Sequence, residues 1–476
     1  MQLFNQYPHL QLIQEQAKRN KTACFLVGGF LRDYYLGRLS HDLDFALSKG
    51  SISFARCFAR RIKGAFVLLD QDHGSARVVK NEAGQIYTYD FTDFRGKGIT
   101  QDLSLRDFTV NTLCLDLVAF KDGDSIEAKT IDTHTSLADL KAKKIRLVSS
   151  KAFVDDPLRL LRAYSLAAVW DFKFDAKTQA QMKKDKDLIT KPAMERVREE
   201  IFKILASPRA YATLTAMDNI ELLPKVIPQV TIMYGVTQGG YHHLDVWKHS
   251  LEVLNQLEII AADARRDLAV SAYFDEAIGG AHTRLSLLKL AALLHDVGKP
   301  QTKKKEGDRF TFHGHENVGK GITRLVAKHL RLSVKERYFL EDVVQMHLRP
   351  GYLSNFKQPS SKAVFRFMRD AGTEAAALAY LGLADQAATG GPKTTKAKTQ
   401  HHAKICHMLI DNFFEVKAKP AAKARLLTGN DLIKKLKLKP SPLFAKILDG
   451  VEEAQALGKI SNVEEALTLA RKIAKV

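Results

Sequence analysis

The chain is poor in cysteine, and the few it has are scattered. Cys24, Cys57, Cys114 and Cys406 are the only four in 476 residues and share no CxxC spacing. That argues against a zinc cluster and a disulfide framework, and it suits a reducing compartment. Long apolar runs are missing too, since a bilayer span needs about 20 such residues. The opening stretch MQLFNQYPHLQLIQEQAKRNK has no basic segment leading into an apolar core, so it does not read as a signal peptide. A cytoplasmic protein with no membrane partner is expected. No short period recurs, which excludes a solenoid. Acidic residues are in deficit: 53 Asp and Glu face 73 Lys and Arg, for a net charge of +20. Residues 391–450 alone carry 13 Lys or Arg against 4 Asp or Glu. Such a balance favours a polyanion, above all the phosphates of a nucleic acid. The rest is an ordinary globular composition, 45% hydrophobic and 26% charged, with length for roughly three domains.

Short β-type runs recur through the first 150 residues: ACFLV, DLDFAL, GAFVLL, ARVVK, QIYTYDF and FTVNTLCLDLV. Helical patches and turns such as NEAGQ and KDGD separate them, so a mixed sheet with flanking helices is expected. From Lys151 the pattern is helical almost throughout. VDDPLRLLRAYSLAAVW and TKPAMERVREEIFKILA each read as a helix with proline near its first turn. The two prolines of LLPKVIPQV mark a boundary. A third region runs from near Tyr241 to about Gly391, and GGPKTTKAKTQ reads as a linker or exposed loop. The tail from Leu426 is helical again, broken at KPSP. The expected division is a head over 1–150, a helical neck over 151–238, a third helical region over 239–395 and a basic helical tail over 420–476.

Chemistry concentrates first in FLVGGFLRDYYLGRLSHDLDFAL (Phe25–Leu47). If DLDFAL is a strand, Asp42 and Asp44 share one of its faces and Leu43 takes the other. Two carboxylates so close repel unless cations sit between them. A magnesium pair does this in nucleotidyl transfer, one ion activating the attacking oxygen and the other steadying pyrophosphate. Gly28 and Gly29 follow the first strand and open a helix, so bare backbone N–H groups can approach a triphosphate there.

The spelling G-G-x-x-R-D-x-x-x-G-x-x-x-x-D-x-D resembles the head of the class II tRNA nucleotidyltransferase and bacterial poly(A) polymerase family. The resemblance implies magnesium at Asp42 and Asp44 and triphosphate contacts at Gly28, Gly29 and Arg32. LRDFTVNTL looks like the family's segment that orients the nucleotide, through Arg106, Asp107 and Asn111, with Leu105 where an arginine is usual. DDPLRLLRA matches the element joining head to neck, through Asp156, Arg159 and Arg162, with Ser165 where a further arginine is common. MERVREE falls where the family reads the incoming base, offering Glu195, Arg196 and Arg198 but not the E-D-x-x-R spelling. The passage from Asp90 to Arg106 is short, as in members that add only two cytidines. Asp90 is either a third carboxylate or a turn residue.

A second constellation lies downstream. The apolar run LSLLKLAALL ends in His295-Asp296, preceded by HLDVWKHS and followed by Gly-Lys, HGHE, MHLRP and LADQAATG. This order of H…HD…H…D resembles the HD phosphohydrolase superfamily. It implies metal ligation by His249, His295, Asp296 and Asp385, with His315 and His347 placed for a second metal or a phosphate. Mixed nitrogen and oxygen ligands suit nickel, manganese, cobalt or iron.

The fold expected is therefore an α/β head, an all-α neck, an all-α HD domain and a helical tail. The function expected is template-independent addition of C, CC or CCA to tRNA 3′ ends from CTP and ATP, with an HD phosphohydrolase activity beside it. The alternatives are a poly(A) polymerase, or an HD phosphohydrolase whose head only binds RNA.

Overall fold

The structure, a computed structural model, describes residues 3–475 apart from 8, 241–242, 308 and 419–424. The expected opening of the third region at Tyr241 and the start of the tail at 420 lie outside the described residues. Two compact units make up the chain, Met1–Ile201 with Asn219–Val226, and Phe202–Asp218 with Ile227–Val476.

In the first unit, helix α1 (His9–Arg19) precedes β1 (Cys24–Val27), α2 (Gly29–Tyr35), β2 (Asp42–Leu47) and α3 (Ser51–Ile62). Strands β3 (Ala65–Asp70), β4 (Ser75–Glu82) and β5 (Gln85–Asp93) follow, then α4 (Ile99–Ser104), β6 (Leu113–Asp116) and β7 (Thr130–Asp132). They form one seven-stranded sheet in the order β3-β4-β5-β2-β1-β6-β7. Only β2 and β5 pair in parallel; the other neighbours are antiparallel, so the sheet is mixed, as expected. Alternation along β2 fixes what each face carries. Leu43, Phe45 and Leu47 are buried, and Phe45 stacks on Phe91, which also meets Phe54 and Phe58 of α3. Each such side chain contributes about 1.5–3 kcal/mol of burial. The opposite face packs Phe25, Val27, Ala46 and Cys114 against Leu103 of α4. Asp42 and Asp44 belong to that second face, at the strand end where this layer opens.

One run departs from its expected strand. In FTVNTLCLDLV only Leu113–Asp116 is extended, and Thr109–Asn111 forms a tight 3₁₀ turn. Local side-chain bonds compete with the sheet there: Asn111 Nδ2 donates to Asp107 Oδ1 and the Thr112 hydroxyl donates to the Thr109 carbonyl. Beyond the sheet, α5 (Arg159–Trp170) begins two residues after Pro157, and α6 (Met194–Ala206) follows.

The second unit is helical. Its centre is α7 (Val246–Ala264), α8 (Arg284–Leu294), α9 (His315–His329), α10 (Val334–Met346) and α11 (Ala375–Ala388). Every residue of α8 is buried, including two cations with partners. Arg284 lies over the Tyr273 ring and pairs with Glu276 and Glu374, and Lys289 pairs with Glu258. Buried charge is tolerated on those terms alone. Helix α12 (Lys396–Ala418) starts inside the stretch expected as a linker, leaving only its GGPKTT part non-helical. The tail folds as α13 (Gly429–Leu436), α14 (Leu443–Ala456) and α15 (Val463–Ala474) around Leu432, Ile447, Val451 and Ala466. Lys434, Lys435, Lys437 and Lys439 are exposed on it. All four cysteines are free, and no helix among the described residues is long and apolar enough to cross a membrane.

Candidate active sites of the two units

Strand register brings the first cluster together. Asp44 pairs with Val27 of β1 on one side and with Asp90 of β5 on the other, while Asp42 pairs with Thr88. The Thr88 hydroxyl donates to Asp42 Oδ1. Burial first, then the like charges of Asp42 and Asp90, push the Asp44 carboxyl up to about 6. Both oxygens of Asp90 are taken by the Arg77 guanidinium, at 2.7 Å each, so Asp90 is a neutralised neighbour. Asp42 and Asp44 form no ion pair among the described residues. A close carboxylate pair without a resident cation fits a divalent ion.

Gly28 makes the turn against this pair. Its φ of +75° lies in the region glycine favours, and a Cβ built there would meet Asp44 Oδ2 at 2.9 Å and Arg106 Nη1 at 3.2 Å. Arg106 donates in turn to Asp102 Oδ2 from Nε and Nη2, at 3.2 and 3.1 Å. Arg95 holds the other oxygen of Asp102, which fixes the short segment between β5 and Arg106. Gly29 opens α2 with Arg32 Nη2 3.2 Å from its built Cβ.

A chain of polar contacts runs from that turn into the helical part of the unit. Arg32 Nη1 donates to Asn111 Oδ1 at 2.7 Å and Nε to Asp33. Asn111 donates to Asp107, whose other oxygen lies 3.2 Å from Arg162 Nη2. Burial alone would raise the Asp107 carboxyl, but Arg162, Asn111 and the Phe108 N–H together hold it below the usual range. Arg159 is buried and gives its guanidinium to the carbonyls of Leu105 and Ala152, so it holds the backbone beside Arg106. Asp156 pairs with Arg196, and Arg198 with Glu199, which puts Asp156 beside the first turns of α6, where Arg196 and Arg198 lie. Ser165, where an arginine was expected, donates to the buried Glu200.

The second cluster is denser. His249 lies on α7, His295 and Asp296 end α8, His315 opens α9, His347 ends α10 and Asp385 lies on α11. Their ligand atoms form two groups, His249 with His295 and Asp385, and Asp296 with His315 and His347. His249 Nε2 is 3.0 Å from Asp385 Oδ1 and His295 Nε2 3.1 Å from Asp296 Oδ2. Asp296 Oδ1 is 3.3 Å from His315 Nε2 and 3.7 Å from His347 Nε2. One carboxylate thus joins the two groups. The Nδ1 atoms of His295, His315 and His347 each lie 2.6–2.8 Å from the carbonyl three residues back, of Ala292, Phe312 and Val344. That fixes each ring with Nε2 facing the cluster, the arrangement metal-bound histidines use. The buried Nε2 of His295 makes no well-aligned hydrogen bond among the described residues, although Asp296 Oδ2 lies 3.1 Å away. Burial, then the neighbouring His295, push the His347 imidazole down to about 3, so it offers a lone pair rather than a charge. This donor set fits transition-metal ions.

Two residues of this site carried only a faint signal in the sequence. Lys299 Nζ lies 2.6 Å from Asp296 Oδ2 and 2.6 Å from Gln238 Oε1. Gly298 lets its loop seat on α9, because a Cβ there would lie 2.1 Å from the His315 carbonyl oxygen. Gly298-Lys299, one residue beyond His295-Asp296, was the available clue. A cavity of about 670 Å³ opens over the cluster and is also lined by His313, Tyr352, Asn355 and His402.

Family models match along the chain: the poly A polymerase head domain over residues 24–146, an RNA- and SrmB-binding site of polymerase A over 171–233, the HD domain over 246–367, and tRNA nucleotidyltransferase domain 2 over 365–470. An A-adding tRNA nucleotidyltransferase of Deinococcus radiodurans is 32% identical, over 93% of each chain. A CC-adding tRNA nucleotidyltransferase of Thermus thermophilus is 30% identical, over 93% of this chain and 92% of its own. Among solved structures, an apo CCA-adding enzyme aligns at TM-score 0.63 and 17% identity over 98% of this chain and 93% of its own. That last likeness speaks to the fold.

Proposed function

The chain belongs to the tRNA nucleotidyltransferase family, and on that premise we propose that it extends tRNA 3′ ends with C, CC or CCA from CTP and ATP, without a template. The observation that carries this is the Gly28 turn lying against Asp44, beside a carboxylate pair that has no arginine of its own. Asp42 and Asp44 hold magnesium, which when bound activates the primer hydroxyl and screens the leaving pyrophosphate. Gly28 and Gly29 leave room for the triphosphate, and Arg32 and Arg106 meet its charge. Asp107 and Asn111 set the direction of Arg32 and orient the nucleotide. Arg159 and Arg162 brace that segment from α5, and Asp156, Arg196 and Arg198 lie toward the incoming base. In this reading the head is 1–150, the neck 151–238, the HD domain 239–395 and the basic tail 420–476. The exposed lysines of α13 and the net positive charge favour RNA phosphates, and the cytoplasm is the compartment.

Of the similar proteins, one is an A-adding and one a CC-adding tRNA nucleotidyltransferase. The short passage from Asp90 to Arg106 favours CC addition. Relatives matched over 93% of the chain are tRNA enzymes, which favours tRNA over poly(A) synthesis. The test is incorporation of labelled CTP or ATP, each alone, on tRNA ending before CCA, after C and after CC. Cytidine addition to the first two, lost in Asp42→Ala and Asp44→Ala, is expected; adenosine on the third acceptor alone makes it an A-adding enzyme. No incorporation on any acceptor rejects the reading.

The histidine cluster supports a second activity. We propose that the HD domain hydrolyses phosphoesters with two transition-metal ions such as Ni²⁺ or Mn²⁺. His249, His295 and Asp385 would hold one, and Asp296, His315 and His347 the other. Metal-dependent phosphatase activity that survives Asp44→Ala and disappears in His295→Ala is the expected result. Activity unchanged by His295→Ala rejects it.

A further inference from the structure

The side chain left unexplained at the first site is Trp170, the last residue of α5 and one of two tryptophans in the chain. The other, Trp247, is buried and donates its indole N–H to Asp218. Trp170 is half-buried, and two guanidiniums lie on its ring: Arg32 at 5.3 Å and Arg38 at 4.1 Å from the centroid. Cations at these distances are held by the ring quadrupole. Their other contacts differ. Arg32 has Asp33 and Asn111. Arg38 is exposed and forms no ion pair among the described residues, whereas Arg77, Arg95, Arg106, Arg162 and Arg196 around the site each have a carboxylate. It is a cation fixed in direction by stacking; the Asp33 carboxylate feels its charge but does not pair with it closely, so its N–H edge is left to other acceptors. Its segment leads from α2 to Asp42, and the arginine sharing its ring faces Gly29.

We propose that Arg38 binds a phosphate of the incoming nucleoside triphosphate and that Trp170 is a positioning residue acting through Arg38. The proposal rests on the nucleotidyltransferase reading above. A stacked guanidinium is planar and keeps its N–H edge free for phosphate oxygens, so stacking and phosphate binding are compatible. A phosphate could equally come from the RNA backbone, and steady-state kinetics with each substrate varied in turn separates the two sources.

In Arg38→Ala the KM for the nucleotide should rise about tenfold and the KM for tRNA should stay put. Trp170→Ala should raise the nucleotide KM about fivefold, the effect of losing one stacked cation, with kcat little changed. Trp170→Phe, which keeps a π face, should stay near wild type, and that variant decides the case if Trp170→Ala unfolds. Because Arg32 keeps Asp33 and Asn111 when the ring is lost, the ring acts chiefly through Arg38, and the double variant should be little worse than Arg38→Ala alone. The proposal is overturned if Arg38→Ala raises only the KM for tRNA, if neither KM moves, if Trp170→Phe is as impaired as Arg38→Ala, or if the two single effects multiply. A wild-type protein that incorporates no nucleotide overturns the family reading instead, so the two failures stay distinct.

Discussion

Replacing Gly28 with alanine tests whether the turn serves the carboxylates or only the chain path. Its φ of +75° and ψ of −138° are open to glycine and costly for other residues, at about 1–3 kcal/mol. In a unit of this size that lowers the melting temperature by about 2–10 °C. A second effect is added. The new methyl would lie 2.9 Å from Asp44 Oδ2 and 3.2 Å from Arg106 Nη1, so Asp44 must swing away from its place beside Asp42. A displacement of about 1 Å at a reacting centre costs about 100-fold in rate. Gly84→Ala is the control. Gly84 sits in the two-residue turn between β4 and β5 at φ +85° with nothing within 4 Å of a built Cβ, so it bears the backbone cost alone. Melting curves and single-nucleotide incorporation should show both variants destabilised to a similar degree and only Gly28→Ala inactive. Full activity in Gly28→Ala, or equal loss in the two, would refute the assignment of the turn to the site.

Three further outcomes follow from the same geometry. Asp44 takes up a proton near pH 6 in the folded, metal-free protein but only near pH 4 when unfolded. Stability should therefore fall as pH rises from about 4 to 6, and melting at stepped pH should show this part of the slope vanish in Asp44→Asn and reverse with added Mg²⁺. Arg162→Ala leaves the buried Asp107 carboxylate short of its cation, costing about 1–3 kcal/mol. Asp107 is held below its usual range when folded, so the loss should be full at pH 7 and shrink below about pH 4, as denaturant titrations would report. Gly298→Ala pushes a methyl against the His315 carbonyl and should cost the HD domain the ion proposed at Asp296, His315 and His347, leaving the one proposed at His249, His295 and Asp385; metal analysis of the purified variant checks this.

Period and punctuation located six of the sheet's seven strands; Thr130–Asp132 is only three residues long and carries no such signal. DLDFAL alternates apolar and acidic side chains, and one face of β2 is buried while the other holds both carboxylates. LSLLKLAALL is apolar all round, and α8 is buried all round. Ambiguity arose where polar side chains bond to nearby backbone, as at Thr109–Asn111. The sites split along similar lines. Residues two or three apart on one element were legible, because strand and helix geometry place them together. Partners distant in the chain were legible only where a family spelling joined them, as for His249, His295 and Asp385. That Arg77 occupies Asp90, or that Asp102 ties Arg95 to Arg106, depends on strand register and loop path, which composition and spacing do not encode. Arg159 matched a motif yet spends its charge on carbonyl oxygens, and no spelling separates an arginine that meets ligand from one that braces backbone.

The distribution of charge around the first site makes a stronger case than any single residue in it. Asp90 is matched by Arg77, Asp102 by Arg95 and Arg106, Asp107 by Arg162 and Asp156 by Arg196. Four of the acids near the sheet opening thus have their own cation, and two adjacent ones do not. A protein with 20 more basic than acidic charges does not lack arginines to spare. Withholding them from Asp42 and Asp44 costs stability, as the raised Asp44 carboxyl records, and a pair destabilised in this way binds divalent cations with energy that full neutralisation would have removed. The opposite case is Arg38, a cation with no close ion pair among the described residues, on the ring that also holds Arg32. Two carboxylates and one guanidinium without close ion pairs, on either side of the Gly28–Gly29 turn, are the complement of a metal-bound triphosphate.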